Sequence, residues 1–428
     1  MTDELDKRAL VSWCLYDWAN SAFPTVIITF VFATYFTGSV ALDKVTGTAY
    51  WGYTMSLSAL AVAIVAPIFG AIADNSGRRK PWLGFFTALC ILASCVLWFV
   101  EPDPSFALMA LVTAGLANFA FEMGMVFYNA MLPGLARQCH LGRVSGWGWG
   151  LGYFGGLFCL ALTLVGLVQP ETPWFGLEKE TAEHVRAAAL LVAIWYAVFS
   201  VPLFLFTPDR TARNISFLNA MKKGLAELRA IFTQMRQNSN MLRFLIARMI
   251  YTDGLNTLFA FGGIYAAGSF GMELNEIIIF AIGMNVTAGL GAAAFGWVDD
   301  WIGPKKVLMI ALAGLTVLGT ALLIVQTKTG FMTFGLPLGL FVGPAQAASR
   351  SMMARLAPPE LITEMFGLYA FSGKATAFLG PALLGAVSSA FDSQRAGMAT
   401  ILIFLALGMF LLKNVGEPTV NPKALHLG

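Results

Sequence analysis

Apolar residues run through this chain in long unbroken blocks, not in alternation. A helix needs about 20 such residues to cross a bilayer. Twelve blocks meet that requirement, at 12–37, 50–73, 82–100, 106–130, 146–168, 188–206, 245–269, 276–298, 306–325, 331–349, 366–389 and 395–412. Continuous blocks predict membrane-crossing helices and exclude a strand barrel, whose strands alternate. The longest polar stretch follows the sixth block and separates six helices from six. The expected organisation is a first bundle over 1–206, a connector over 207–244, and a second bundle with a short tail over 245–428. Within the connector, Leu218, Met221, Leu225, Leu228, Phe232 and Met235 recur at steps of three and four, with Lys222, Lys223 and Arg229 on other faces. That is the pattern of an amphipathic helix lying on the lipid surface.

Composition agrees. Hydrophobic residues make up 57% of the chain and charged residues only 12%, against about 25% charged in a soluble domain. The class is an all-α polytopic membrane protein. The opening "MTDELDKRAL" is polar and acidic, so no signal peptide is expected. With the N-terminus inside, the inner segments collect 21 of the 27 lysines and arginines and the outer segments five. The positive-inside rule then puts both termini in the cytoplasm. Cys14, Cys90, Cys95, Cys139 and Cys159 form no CxxC pair and read as small buried hydrophobes. His140, His184 and His426 are scattered, so no metal centre is expected. No P-loop is present, and "GWGWGLG" lacks the strand that a dinucleotide site requires. No cofactor and no nucleic-acid partner is expected.

The two halves repeat. Asp17, Asn20, Ser21 and Phe23 in the first helix match Asp253, Asn256, Thr257 and Phe259 in the seventh. Gly70, Asp74, Gly77 and Lys80 after the second helix match Gly296, Asp300, Gly303 and Lys306 after the eighth. Leu135–Ala136 and Gly146 match Leu356–Ala357 and Gly367. Three matches in one order imply two six-helix bundles related by a pseudo-twofold axis along the membrane normal. Parallel repeats of this kind characterise secondary transporters, with a solute site between the halves near mid-membrane.

"GAIADNSGRRK" (Gly70–Lys80), with its degenerate copy "GWVDDWIGPKK", resembles the loop signature of the major facilitator superfamily. "LYDWANSAF" (Leu15–Phe23), "TVIITFVFATYF" and "YNAMLP" (Tyr128–Pro133) resemble a narrower branch, which includes the fungal vacuolar amino-acid effluxer linked to autophagy and many bacterial relatives. The resemblance implies the major facilitator fold and secondary active transport of a small solute, with amino-acid export the best-known activity. It also implies that Asp74 faces a helix end of the other half and latches the outward-open state, with Gly70, Gly77, Arg78, Arg79 and Asp300 as the rest of a cytoplasmic gate. Where many proton antiporters of the superfamily carry an arginine in the fourth helix, this chain has Glu122.

Charges within the bilayer are costly, about 2.5–3.5 kcal/mol each at its centre, and so call for a function. Asp17, Glu122, Asp253 and Lys374 fall within the blocks. Glu122 and Lys374 each lie eight residues from an inner block end, about 12 Å deep, and Asp17 and Asp253 about 8–12 Å. With Asn20 and Asn256 they form the expected substrate or proton pathway: Glu122 a protonation site, Lys374 its partner or that of a substrate carboxylate, and the two aspartates able instead to pair with Arg143 or Arg248. Asn118, Tyr128, Asn129, Asn285 and Gln346 are secondary cavity candidates, or polar groups bridging helices.

The expected function is a monomeric secondary active transporter of the bacterial inner membrane, in contact with membrane lipids. It would move a small polar or zwitterionic solute such as an amino acid, coupled to protons, by rocking of the halves. The rival reading is a non-pumping lipid- or pigment-delivery or assembly factor on the same scaffold.

Overall fold

The computed structural model describes residues 6–211 and 239–417, and the amphipathic-connector expectation lies outside them. Twelve long helical segments run through the described residues: α1 Lys7–Val40, α2 Lys44–Ser76, α3 Lys80–Phe99, α4 Pro104–Leu135, α5 Gln138–Val168, α6 Glu183–Phe206, α7 Ser239–Phe270, α8 Asn275–Ile302, α9 Pro304–Ile324, α10 Lys328–Leu356, α11 Pro359–Ala390 and α12 Gln394–Lys413. All but α7 are long and apolar enough to cross a membrane by length and composition. In α7 the polar run from Thr252 to Thr257 lowers the hydropathy. Every helix begins before its apolar block, because polar residues at a helix end still satisfy the backbone while falling outside a hydropathy count.

Local departures from α geometry have local causes. In α1 the turns widen to π geometry over Phe23–Phe30, with Pro24, which has no N–H to give, in the first turn of that segment. Pro67, Pro133, Pro202 and Pro344 lie inside α2, α4, α6 and α10. The break in α11 is sharper. One α segment, Ile362–Lys374, ends, turns occupy 375–378, and a second begins at Leu379.

The chain forms two compact units. One comprises Met1–Val65, Gly77–Tyr128 and Leu151–Arg213. In it α6 packs on α1 and α3. Trp13 stacks on Tyr128 at 4.4 Å, and each donates a hydrogen bond to the other's backbone carbonyl. Trp18 stacks on Trp195 at 5.5 Å. The other unit comprises Ala66–Ser76, Asn129–Gly150 and Asn214–Gly428, so it takes the last part of α2 and of α4 and the first part of α5 together with the second half of the chain. There α12 packs on α7, and α8 on α10. Large apolar side chains such as Leu57, Leu108, Val198, Ile403 and Phe410 stand exposed, which is how a surface bathed in lipid is built.

Candidate functional site

Two clamps lie in the second unit, one from each copy of the repeat. Gly70 of α2 meets the start of α11 so closely that a Cβ there would stand 2.6 Å from the Thr363 carbonyl oxygen. Gly367, one turn further along α11, makes the reciprocal approach: its Cβ would stand 2.6 Å from the Ala66 carbonyl oxygen. Only glycine admits backbones this near. The approach brings the buried carboxylate of Asp74 onto the first turn of the α segment Ile362–Lys374, where it accepts from Thr363 Oγ1 at 2.7 Å and from the Glu364 N–H at 2.9 Å. A first-turn N–H has no partner within its own helix, and an anion there also meets the positive end of the helix dipole.

The second clamp repeats this in register. Gly296 of α8 abuts Arg143 of α5, 2.9 Å from the position of an added Cβ to Arg143 Cα. Asp300 accepts from the Gly142 N–H at 2.8 Å and the Arg143 N–H at 3.2 Å, again the first turn of the facing α-helical segment. Through the Gly146–Gly367 match, 142 and 143 correspond to 363 and 364. Here a salt bridge is added: Arg143 Nε reaches Asp300 at 2.7 Å. Arg355, nearly buried, lies 3.1 Å from Asp299 and 3.3 Å from Asp300. Ser351 Oγ also donates to Asp299. Beside this clamp Arg350, 1% exposed, donates to the Ser145 carbonyl at 2.6 Å, Ser145 Oγ at 2.9 Å and Asn129 Oδ1 at 3.3 Å.

The membrane-level residues divide between the units. In the first, Asp17 is buried and accepts from Asn20 Nδ2 at 3.5 Å, and Asn20 also reaches Met125 Sδ at 3.5 Å. This face of α1 presses on the glycines of α5: a Cβ on Gly152 would lie 2.7 Å from Ser21 Oγ, and one on Gly155 2.7 Å from Trp18 Cα. Glu122 is half-buried in the middle of α4. Asn118 bridges to Ser58 at 2.9 Å. In the second unit, Asp253 is 2% exposed and accepts from the Gly380 N–H at 3.1 Å, at the start of the second α segment of α11. Thr257 is buried beside it, whereas Asn256 is exposed, unlike its counterpart Asn20. Lys374 is half-buried at the last residue before the break in α11. Asn285 donates to Ala281 O of its own helix, and Gln346 is half-buried on α10. At the loops, Gly77 takes a φ of 88°, Arg79 is buried and its N–H donates to Asp209 Oδ1 at 3.0 Å, and Arg78 is exposed.

Several expectations change. Counted along the helices, Glu122 lies 13 residues before Leu135, about 20 Å, and Lys374 12 residues after Ile362, about 18 Å. Asp17 lies 10 residues after Lys7 and Asp253 14 after Ser239, about 15 and 21 Å. These lengths include the turns that each of these helices adds beyond its apolar block. Neither proposed arginine partner serves an aspartate of the D-x-x-N pairs. The Arg143 guanidinium is held by Asp300, and Arg248 Nη1 donates to Tyr369 O at 2.6 Å and Ser372 Oγ at 2.8 Å. Arg248 and Arg350 had been counted with the inner segments, and both lie inside helices. Sequence reasoning also passed over Asp299, Thr363 and Glu364. The Asp299–Asp300 doublet was a signal for the first; the other two announce themselves only once Gly367 is aligned with Gly146.

Among known proteins, the family model described as "Vacuole effluxer Atg22 like" matches residues 35–142 and 138–419. YxiO of Bacillus subtilis, described as an uncharacterized MFS-type transporter, is 26% identical over 416 residues, 95% of each chain. Autophagy-related protein 22 of Cryptococcus neoformans is 27% identical over 295 residues, 64% of this chain, which spans about half of that protein (52%). The crystal structure of the human organic anion transporter MFSD10 superposes with a TM-score of 0.74 over 96% of this chain and 100% of its own, at 14% identity, which speaks to fold alone.

Proposed function

This chain belongs to the Atg22-like vacuole effluxer family, a branch of the major facilitator superfamily, and on that premise we propose that it moves a small polar or zwitterionic solute, amino acids foremost, in exchange or in common with protons. It is a multi-pass membrane transporter of the major facilitator fold. In the proposed cycle the halves 1–206 and 245–428 rock about a solute held near mid-membrane, joined by 207–244, in a monomer sitting in the bacterial inner membrane with both termini in the cytoplasm. The observation that carries the reading is the pair of clamps. Two aspartates at equivalent places in the repeat each cap a helix that begins in the opposite half of the sequence. Contacts of that kind are made in one state of an alternating cycle and broken in the other, so they give the protein a two-state element for a gradient to drive.

Half-buried Glu122 and Lys374, each well inside its helix, suit the proton and solute roles, because an ionisable group held within a bilayer has to be neutralised by a proton, a solute or a partner. Asp17, Asn20, Asp253 and Asn256 complete the proposed pathway. The test is amino-acid flux in proteoliposomes under an imposed proton gradient, for the wild type, Glu122→Gln and Lys374→Ala. Loss of gradient-driven flux in the variants supports the assignment. Undiminished flux in both removes these residues from the mechanism, and a wild type that moves no amino acid in either direction refutes the solute class.

A further inference from the structure

Helix α7 carries two opposite charges onto α11, at the two edges of its break. Arg248 docks at Gly373, just before the break: a Cβ there would lie 2.9 Å from Arg248 Nη1. The guanidinium lies over the Tyr369 ring, its Cζ 3.4 Å from the centroid, and donates to Tyr369 O and Ser372 Oγ. Asp253 docks at Gly380, just after the break, with Thr257 beside it. Thr376, within the break, donates to Met249 O at 3.3 Å and ties the two edges to α7. Arg248 thus stands at a helix C-terminus and Asp253 at a helix N-terminus, the ends that each charge favours.

Each group is left half-satisfied. Arg248 Nε and Asp253 Oδ1 are buried without a hydrogen-bond partner, and among the described residues neither group forms an ion pair. An orphaned polar atom of a charged group is costly in a protein interior and more so at membrane depth. One small ligand that carries both a carboxylate and an ammonium offers each orphaned atom its partner, a charge-assisted hydrogen bond at Arg248 Nε and another at Asp253 Oδ1. In the other half, helix position matches Asp253 with Asp17 and Arg248 with Ser12, so only the second half offers both charges.

We infer that the α7–α11 contact is a binding site for a small zwitterion, with Arg248 receiving its carboxylate at Nε and Asp253 its ammonium at Oδ1. This deepens the amino-acid reading above and rests on it. The break in α11 is the part that must give, since Asp253 is covered by Gly380 in this state.

The test is equilibrium binding to purified protein in nanodiscs, using glycine, L-leucine, L-glutamate and L-lysine, then the methyl ester and N-acetyl derivative of whichever binds. The wild type should bind the free amino acid about tenfold or more tightly than either derivative, the loss expected for one charge-assisted bond. Arg248→Gln should erase the preference over the ester and keep the preference over the N-acetyl form; Asp253→Asn should do the reverse. Variants that bind with both preferences intact overturn this site while leaving the solute class standing. A wild type that binds none of the four overturns the solute class, and the site with it. If Arg248→Gln fails to fold, Asp253→Asn decides alone, since an unchanged preference for free ammonium contradicts the assignment.

Discussion

Gly70→Ala is the smallest change that should unlatch the Lys/Arg-rich end of the molecule. The added methyl would stand 2.6 Å from the Thr363 carbonyl oxygen and 2.8 Å from Glu364 Cα. Carbon contacts are comfortable at about 3.5 Å or more, so α2 and α11 must part by roughly an ångström. Both neighbours are backbone, so no side chain can swing aside. Overpacking of this kind costs about 1–3 kcal/mol. The same parting stretches the bonds that Asp74 accepts at 2.7 and 2.9 Å. Loss of one such bond to a charged acceptor adds about 1.5–3 kcal/mol. Alanine is the better helix former and offsets about 1 kcal/mol. The net is about 1.5–5 kcal/mol against the closed clamp; a central value of about 3 kcal/mol raises the opened population about 100-fold. Ala347, 4% exposed on α10 beside the second clamp, is the place to read it. With the five native cysteines replaced by serine, thiol labelling of Ala347→Cys in nanodiscs should accelerate by up to that factor when Gly70→Ala is added. An unchanged labelling rate, in protein that melts normally, would refute the claim that the α2–α11 approach holds this end shut.

Asp300→Asn keeps the shape of the second clamp but removes the charge that meets Arg143 at 2.7 Å and Arg355 at 3.3 Å; breaking a buried pair this way should cost about 3 kcal/mol and lower the melting temperature, and an unshifted melt would show that the pair contributes nothing. Arg350→Ala leaves Ser145 and Asn129 without their buried donor; denaturation should show a loss of about 3 kcal/mol or more, only partly restored by Arg350→Lys, and full restoration by lysine would mean that the planar fork is not needed. For the Asn118–Ser58 bridge at 2.9 Å, a double-mutant cycle with alanine at each position should give a coupling of about 0.6 kcal/mol, and zero coupling would mean that each group finds another partner as easily.

The helices were legible because bilayer physics writes them in blocks that hydropathy can see, and the repeat was legible because its glycines and aspartates are fixed by backbone approach, which only one residue type permits. Asp74 and Asp300 were found for that reason. Their partners Thr363 and Glu364 were not, since the Glu364 N–H could come from nearly any residue and a single threonine hydroxyl is not distinctive in sequence. Arg350 was missed because it lies one residue past its block, where the positive-inside rule counts a cation as loop, and Arg248 because it stands only three residues inside the start of its block and was counted with the preceding loop. The break in α11 had its signal in Gly373, Gly380 and Pro381. What could not be read was that two opposite charges of α7 would settle on its two edges, because that depends on the register between helices far apart in sequence.

The clamps share a register but not a chemistry, and the difference bears on how the closed end is held. At Asp300 the residue whose N–H is accepted is Arg143, and its side chain returns to the same carboxylate. At the equivalent place beside Asp74 stands Glu364, fully buried, and a threonine hydroxyl makes the side-chain contact instead. The Asp300 clamp therefore gains from the attraction between the Arg143 guanidinium and its carboxylate. Both contacts hold the same end, so opening it requires both to break, and weakening either raises the opened population by the factor that the lost free energy sets. Two such contacts suit a transporter, because a latch built from a few hydrogen bonds lies within the few kilocalories through which a bound ligand can shift a two-state equilibrium.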